Sequence, residues 1–252
     1  MASYTPGRFV WHELMTPDVE KSQGFYAELL AWTYQKMPMP GMDYTIALAG
    51  GTGIGGIMPL SALPMPGVPP HWLGYVSAEA DAAATATKKA GGHVLQEPFD
   101  VPEVGRIAIL QDPTGAVWAT YRGLKGDDSE PERPGLGTFC WDQLNTTEPA
   151  KASAFYASVL GWKTRPFGSG PDLQLFQREG DKDTASLMKA PAGVPSHWLS
   201  YVVVGKLADS RARAVRLGAQ VHLEHLAVPG IGSISVIADP TGAAIGLFEP
   251  GA

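Results

Sequence analysis

The sequence predicts an α+β protein made of two tandem duplicated domains, and three observations carry that expectation. The chain repeats itself: FVWHELMTPDVEKSQGFYAELLAW (9–32) returns as FCWDQLNTTEPAKASAFYASVLGW (139–162), HWLGYV (71–76) as HWLSYV (197–202), and IAILQDPTGA (107–116) as ISVIADPTGA (234–243). Phe25 and Phe155 are 130 residues apart, His71 and His197 126, Asp112 and Asp239 127, so order and spacing hold across half the chain, as a duplication requires. Within each half the apolar pattern switches between strand and helix periods. Each half also closes on a DPTG turn with Asp first, Pro second and Gly fourth, the chemistry of a type I turn between two strands.

Each half opens on a short strand, 8–14 or 138–144. A helix follows, with Thr16 as its expected cap, Pro17 at its first position and an apolar face of Val19, Tyr26, Leu29 and Leu30. Strand-like segments come next, near 44–48 and 55–58 in the first half and 173–177 and 184–188 in the second. Pro-rich loops at 59–70 and 189–196 lead to strands beginning at His71 and His197. A second helix runs through 81–90 or 207–217, and Gly91 and Gly218 stand where a helix end wants a left-handed residue. Each half is therefore two strand–helix–strands units. The expected domains are 1–125 and 135–252, joined by the charged, Pro- and Gly-containing stretch LKGDDSEPERPG (124–135).

Composition narrows the function classes. Hydrophobic residues at 44% and charged residues at 17% suit a packed chain. The net charge of −6, with no Lys/Arg cluster, argues against nucleic acid and anionic membrane as partners. The start MASYTPGRF lacks the apolar core of a signal peptide, and Pro and Gly break every apolar stretch before it reaches membrane-spanning length, so the expected location is cytoplasmic. The one cysteine, Cys140, excludes an internal disulfide and a Cys-based metal site, and is expected as a small buried strand residue. GGTGIGG (50–56) matches G-x-G-x-x-G, but Met58-Pro59 follow where a phosphate loop must open a helix. The glycines instead predict a bent hairpin or a close backbone approach.

A βαβββ unit used twice per half, FY…VLGW-type ends to the first helix and a DPxG hairpin before the last strand together resemble the vicinal oxygen chelate superfamily, the glyoxalase I, bleomycin-resistance and extradiol-dioxygenase group. The tandem form with HW…YV and DPTGA looks most like its glyoxalase-like or hydroxylase-like bacterial branch. The resemblance covers nearly the whole chain, and the fold hosts isomerases, dioxygenases, lyases and binders. It implies that paired units form a cup-shaped mixed sheet with helices outside and a ligand within, and that metal-dependent members carry four ligands there. Transferred to this chain, those positions fall on Trp11 and Trp141, near Gly56 or Met58 and Ser186 or Met188, on His71 and His197, and on Ala119 and Gly246. Only histidine survives, which points to no bound cofactor; a divalent metal held by His12, Glu13 and His71 stays as the alternative.

Strand alternation places Trp11 with Glu13, His71 with Leu73 and Tyr75, and Ala119 with Tyr121. The first cup is thus expected to hold Trp11, Glu13, His71, Tyr75 and Tyr121, and the second Trp141, Gln143, His197, Tyr201 and Phe248, with Glu249 facing away. Catalysis is expected from Glu13, His71 and Tyr121, and substrate contact from Trp11, Tyr75, Trp141, Gln143 and His197. Each has a plainer alternative: Glu13 accepts a bond from a loop, His71 and His197 bond into the Pro-rich loops, Tyr121 completes an aromatic core. Three functions follow. The first is acid/base chemistry on a small oxygenated molecule, with Glu13 as base and Tyr121 or His71 as donor to an oxyanion. The second is antibiotic-like binding without catalysis, and the third a metal-dependent glyoxalase or oxygenase. The partner is a small molecule, and the assembly a pseudo-twofold monomer or a homodimer.

Overall fold

The computed structural model describes residues 2–39, 42–63, 66–168 and 173–251. Met1 and Ala252, at the ends of the expected domains, and residues 64–65 of the first Pro-rich loop lie outside the described residues. The first half runs β1 (Phe9–Thr16), α1 (Val19–Leu30), β2 (Thr33–Met39), β3 (Met42–Ala49), β4 (Thr52–Pro59), β5 (His71–Ser77), α2 (Ala80–Lys89), β6 (His93–Val101), β7 (Gly105–Gln111) and β8 (Val117–Gly123). The second repeats it as β9 (Phe139–Thr146), α3 (Pro149–Leu160), β10 (Lys163–Pro166), β11 (Leu173–Arg178), β12 (Lys182–Lys189), β13 (His197–Val203), α4 (Leu207–Arg216), β14 (Gln220–Val228), β15 (Gly232–Ala238) and β16 (Ala244–Pro250). The strands form two curled eight-stranded mixed sheets, ordered β2-β3-β4-β1-β5-β8-β7-β6 and β10-β11-β12-β9-β13-β16-β15-β14. The β1–β4 and β5–β8 pairs are parallel and the hairpins antiparallel, so the α+β class with cup-shaped sheets holds.

Two strands per half escape the sequence pattern: β2 and β6 in the first, β10 and β14 in the second. All four are sheet edges. Their side chains are mostly exposed and often charged, as in Lys163–Pro166, so no buried face imposes alternation on them. The start of α1 also differs from expectation. Asp18, not Thr16, caps it, its Oδ1 accepting from the Lys21 amide at 3.0 Å, and Pro17 precedes the helix. Thr16 is drawn away because its hydroxyl bonds the buried Ser22 hydroxyl at 2.8 Å. In α3 the proline, Pro149, does take the first turn. GGTGIGG makes a hairpin, with Gly50 and Gly51 at φ 56° and 85° between β3 and β4. Cys140 is half-buried in β9, its thiol directed at the Tyr201 carbonyl.

Packing gathers the chain into two compact units that interleave the halves. One comprises Met1–Trp11, Leu73–Glu130 and Asp142–Leu199; the other comprises His12–Trp72, Pro131–Trp141 and Ser200–Ala252. Each therefore joins a helix-bearing module of one half to a module of the other. The second unit's core contains Leu14, Phe25, Tyr26, Leu29, Trp32, Ile57, Trp72, Val202, Ile237 and Leu247; the first unit's contains Val76, Leu110, Trp118, Leu144, Phe155, Tyr156, Trp162, Phe176 and Leu187.

A buried hydrogen-bond chain recurs at the centre of each unit. In one, the Trp72 indole donates to the Tyr26 hydroxyl at 2.9 Å, and that hydroxyl donates to Oδ2 of Asp239 at 3.1 Å. In the other, Trp198 donates to Tyr156 at 2.9 Å and Tyr156 to Asp112 at 3.2 Å. Oδ1 of Asp239 accepts from the Thr241, Gly242 and Ala243 amides and the Thr241 hydroxyl, so the buried carboxylate is fully surrounded by donors. Burial first, then the Asp charge, pushes both phenols well above their ordinary value near 10, which keeps each a donor.

Removing one hydroxyl leaves a buried indole N–H and a carboxylate oxygen short of a partner. Tyr26→Phe and Tyr156→Phe are each expected to cost about 1–3 kcal/mol in urea unfolding. The raised phenol pKa values make this stability complete below pH 10 and lost progressively above it, so the wild-type melting temperature falls in the alkaline limb. Each Phe variant flattens that limb.

Candidate functional site

The faces opposite the cores follow from alternation, strand by strand. In the unit containing His12–Trp72, Leu14, Ala47, Ile57 and Trp72 lie in the core and Thr45 bonds Gln23 of α1. Glu13 and Met15 on β1, Tyr44 and Ile46 on β3, Gly56 and Met58 on β4, and His71 on β5 therefore share the other face. Register aligns Glu13 with Gly56 and Met15 with Met58 on the parallel β1–β4 pair, and Ile46 with Gly56 on β3–β4. Glu13 is 5% exposed, a carboxylate withdrawn from solvent. A Cβ on Gly56 would overlap the Tyr44 hydroxyl, so the phenol lies over the glycine, in the row next to Glu13. Glu249 accepts from the Leu207 amide at 2.7 Å and caps α4, away from this face as its parity requires.

His71 Nδ1 lies 2.8 Å from the Pro69 carbonyl, and His197 Nδ1 2.8 Å from that of Pro195. A carbonyl only accepts, so Nδ1 carries the proton in both rings. The shared bond into the Pro-rich loop was the structural role open to these histidines, and it fixes the tautomer. Desolvation lowers the His71 pKa below its ordinary 6.5, so near neutral pH its Nε2 is a lone-pair acceptor. The expected role of His71 as an oxyanion donor is therefore corrected: it can take a proton at Nε2, not give one.

In the other unit the equivalent positions form a continuous polar network. Leu144, Phe176, Leu187 and Trp198 are core residues, which leaves Gln143, Asn145, Leu175, Ser186, Met188 and His197 on the opposite face. Gln143 Nε2 donates to Asn145 Oδ1 at 2.8 Å and to Met188 Sδ at 3.0 Å; Asn145 Nδ2 donates to His197 Nε2 at 3.4 Å. This links the expected contacts Gln143 and His197 through Asn145, which sequence reasoning missed. Trp11, Tyr75 and Tyr121 also belong to this unit, whereas Trp141 belongs with Glu13 and His71. Tyr75 is buried, and its register partner on β8 is Ala119. The half-buried Tyr121 hydroxyl is 3.4 Å from the Val104 carbonyl, over Gly123 of its own hairpin; burial, then the charges of Asp127 and Asp128, raise its pKa and keep it neutral.

The other residue missed was Tyr44. Its signal was present in the repeat: Ile46 and Leu175 hold the same register opposite Gly56 and Ser186, so Tyr44 matches Leu173, and a Tyr–Gly pair stands where the second half has Leu–Ser. The hairpins around them differ in sequence, GGTGIGG against REGDKDT, which hid the alignment.

Two family models match the chain: a glyoxalase-like domain over residues 138–248 and a bleomycin resistance protein-like N-terminal region over 8–46. A Mycobacterium tuberculosis protein named "Putative glyoxylase CFP32" is 31% identical over 99% of this chain and 97% of its own length. The anthracycline biosynthesis protein DnrV of Streptomyces peucetius is 30% identical over 99% of this chain and 95% of its own. Among solved structures, a Mn(II)-bound glyoxalase from Novosphingobium aromaticivorans aligns with TM-score 0.64 at 16% identity, covering 99% of this chain and 83% of that one. A 2,2',3-trihydroxybiphenyl 1,2-dioxygenase from Sphingomonas wittichii aligns with TM-score 0.65 at 14%, covering 98% and 91%. The chain belongs to the glyoxalase-like proteins of the vicinal oxygen chelate superfamily.

That family implies a divalent metal, and the residues here do not fit one. Tryptophans stand at two ligand positions, the Tyr44 phenol covers Gly56, and the Tyr201 ring covers Gly246, where a Cβ would overlap it. The Gln143–Asn145–His197–Met188 set offers amides, one imidazole and a thioether, a poor match for a hard divalent ion. Among the described residues no three His, Cys, Asp or Glu side chains gather into a metal-binding group. His12, the alternative ligand, faces away from Glu13 and stacks on Phe139 at 3.9 Å. No helix among the described residues is long and apolar enough to cross a membrane.

Because the folded protein disfavours the His71 cation, the unfolded chain binds more protons once pH falls below 6.5. Stability is then expected to decline from pH 6.5 downward to the lowered pKa of His71. His71→Gln removes that part of the decline, which melting temperatures between pH 8 and 5 measure.

Proposed function

We propose that the protein is an enzyme of the glyoxalase-like group that acts on a small oxygenated organic molecule by acid/base chemistry without a bound metal, on the face carrying Glu13 and His71. The observation that carries this reading is the withdrawn carboxyl group of Glu13 on a face it shares with Met15, Met58 and the Tyr44 phenol, matched by neutral Gln143 in the repeat. Glu13 is the general base that takes a proton from the carbon next to a carbonyl. His71, fixed with its lone pair at Nε2, holds a substrate hydroxyl by accepting its hydrogen bond. Tyr121 takes no step in this reading, since its hydroxyl is turned to the Val104 carbonyl in the turn between β6 and β7. Trp141, in the same unit as Glu13, is assigned to a wall; Trp11 and Tyr75 are assigned to the other unit, with the Gln143–His197 network as passive ligand contact there.

A second reading, a binding protein without catalysis, draws support from the bleomycin resistance protein-like match over 8–46. Incubation with hydroxyacetone in D2O, followed by proton NMR, separates them. The enzyme reading expects exchange at the carbons next to the carbonyl, reduced about a hundredfold or more in Glu13→Gln. Undiminished exchange in that variant would sink the role of Glu13, and hydroxyacetone binding without exchange in the wild type would favour sequestration. Elemental analysis after dialysis is expected to find no stoichiometric divalent ion; one mole of Mn, Fe, Ni or Zn per chain, lost in His71→Ala, would restore the metal-dependent alternative.

A further inference from the structure

We propose that Tyr44 is the hydrogen-bond donor of the Glu13 face, serving the carboxylate when the site is empty and the carbonyl oxygen of the substrate when it is full. The inference rests on the reading of Glu13 as the base and supplies what that reading lacks. An enolate needs a donor at its oxygen, and His71 presents a lone pair there.

The geometry comes from three strands of one unit. Gly56 is the register partner of Glu13 across the parallel β1–β4 pair, and neighbouring strands lie about 4.8 Å apart. The phenol of Tyr44 fills the space a side chain on Gly56 would take. Its oxygen therefore stands about 5 Å from the Cβ of Glu13, within reach of the carboxyl group and of anything bound against it. Of the neighbours that β3 and β4 bring to this face, Ile46 and Met58 have no side-chain donor, and His71 is the titratable group that β5 adds. Tyr44 itself is 8% exposed, so its hydrogen bond is made in a dry setting.

The repeat gives independent support. The first half combines Glu13, Gly56 and Tyr44; the second combines Gln143, Ser186 and Leu173 at the same three places. The base, the gap and the phenol are present together or absent together, while His71 and His197, Met58 and Met188 stay the same. A packing role for Tyr44 alone would not tie it to the carboxylate.

The step balances without a co-reactant. Glu13 takes the proton from carbon, the C–H electron pair becomes the new C=C bond, and the carbonyl π pair moves to oxygen, where the Tyr44 O–H donates to it. Return of the proton from Glu13 completes exchange or isomerisation. The ligand class is a small molecule with a carbonyl beside an acidic C–H.

Infrared difference spectroscopy across pH tests the pairing apart from catalysis. The Glu13 carboxylate band is identified by its loss in Glu13→Gln. In Tyr44→Phe its protonation midpoint is expected to rise by about one pH unit, because a donor to the ionised form is gone. Gly56→Ala, which displaces the phenol while keeping it, should raise the midpoint in the same direction. Hydroxyacetone exchange should fall about a hundredfold in Tyr44→Phe. An unmoved carboxylate band in both folded variants would overturn the proposal. Exchange that survives Glu13→Gln while the band still moves in Tyr44→Phe would leave the pairing intact and overturn the role of Glu13 as base.

Discussion

The buried carboxylate of each DPTG turn is the constraint on which the fold depends. Asp112 and Asp239 are 1% and 3% exposed, and a charge so withdrawn is tolerable only when donors surround it. The turn's own amides satisfy one oxygen. The second oxygen must be met from elsewhere in the chain, and Tyr156 and Tyr26 of the opposite halves meet it, each held in turn by Trp198 or Trp72. Each turn is thereby tied to the first helix of the other half, which is why the compact units interleave the repeat. Trp32 and Trp162 extend the same logic, stacking on Tyr26 and Tyr156 and donating to the carbonyls of Gly137 and Gly7. Six of the seven tryptophans pair across the repeat, and four of those six are committed to this scaffold.

With the helix side so fully specified, the opposite faces were free to diverge. Alternation guarantees that a change at Glu13 or Gln143 leaves Leu14 and Leu144 in place. The first face carries a carboxylate and a phenol, the second a chain of amides that satisfy one another. A network of Gln143, Asn145 and His197 whose hydrogen bonds run in one direction fixes the orientation of its amides, and suits recognition better than proton removal.

Much of the fold was legible because it is written twice. Helices, central strands, the DPTG turns and the inward parity of Glu13 and His71 all follow from patterns that burial enforces. The edge strands β2, β6, β10 and β14 did not follow, since exposed Lys and Glu at an edge carry no alternation. The cap of α1 was misplaced by two residues because Thr16 and Asp18 are both competent caps, and only the buried Ser22 decides between them. Interleaving was not legible at all. Nothing local to Asp239 reveals that its partner is Tyr26, 213 residues earlier.

The candidate site was read in part, and the missing part has a single cause. Sequence reasoning searched ligand positions for residues that bind and found Gly56 and Gly246 empty. In the fold neither is empty. Tyr44 from β3 covers one and Tyr201 from β13 covers the other, each ring occupying the room that a ligating side chain would need. A glycine under an aromatic ring is a two-residue feature split between strands, and it shows in neither residue alone. A carboxylate at such a position draws a cation in, whereas a ring there excludes it and presents an apolar surface with a phenol at its edge. Desolvation raises the Tyr201 pKa and keeps that phenol neutral. Both positions shape a dry surface, and Glu13 is the acidic side chain that shares a face with Tyr44.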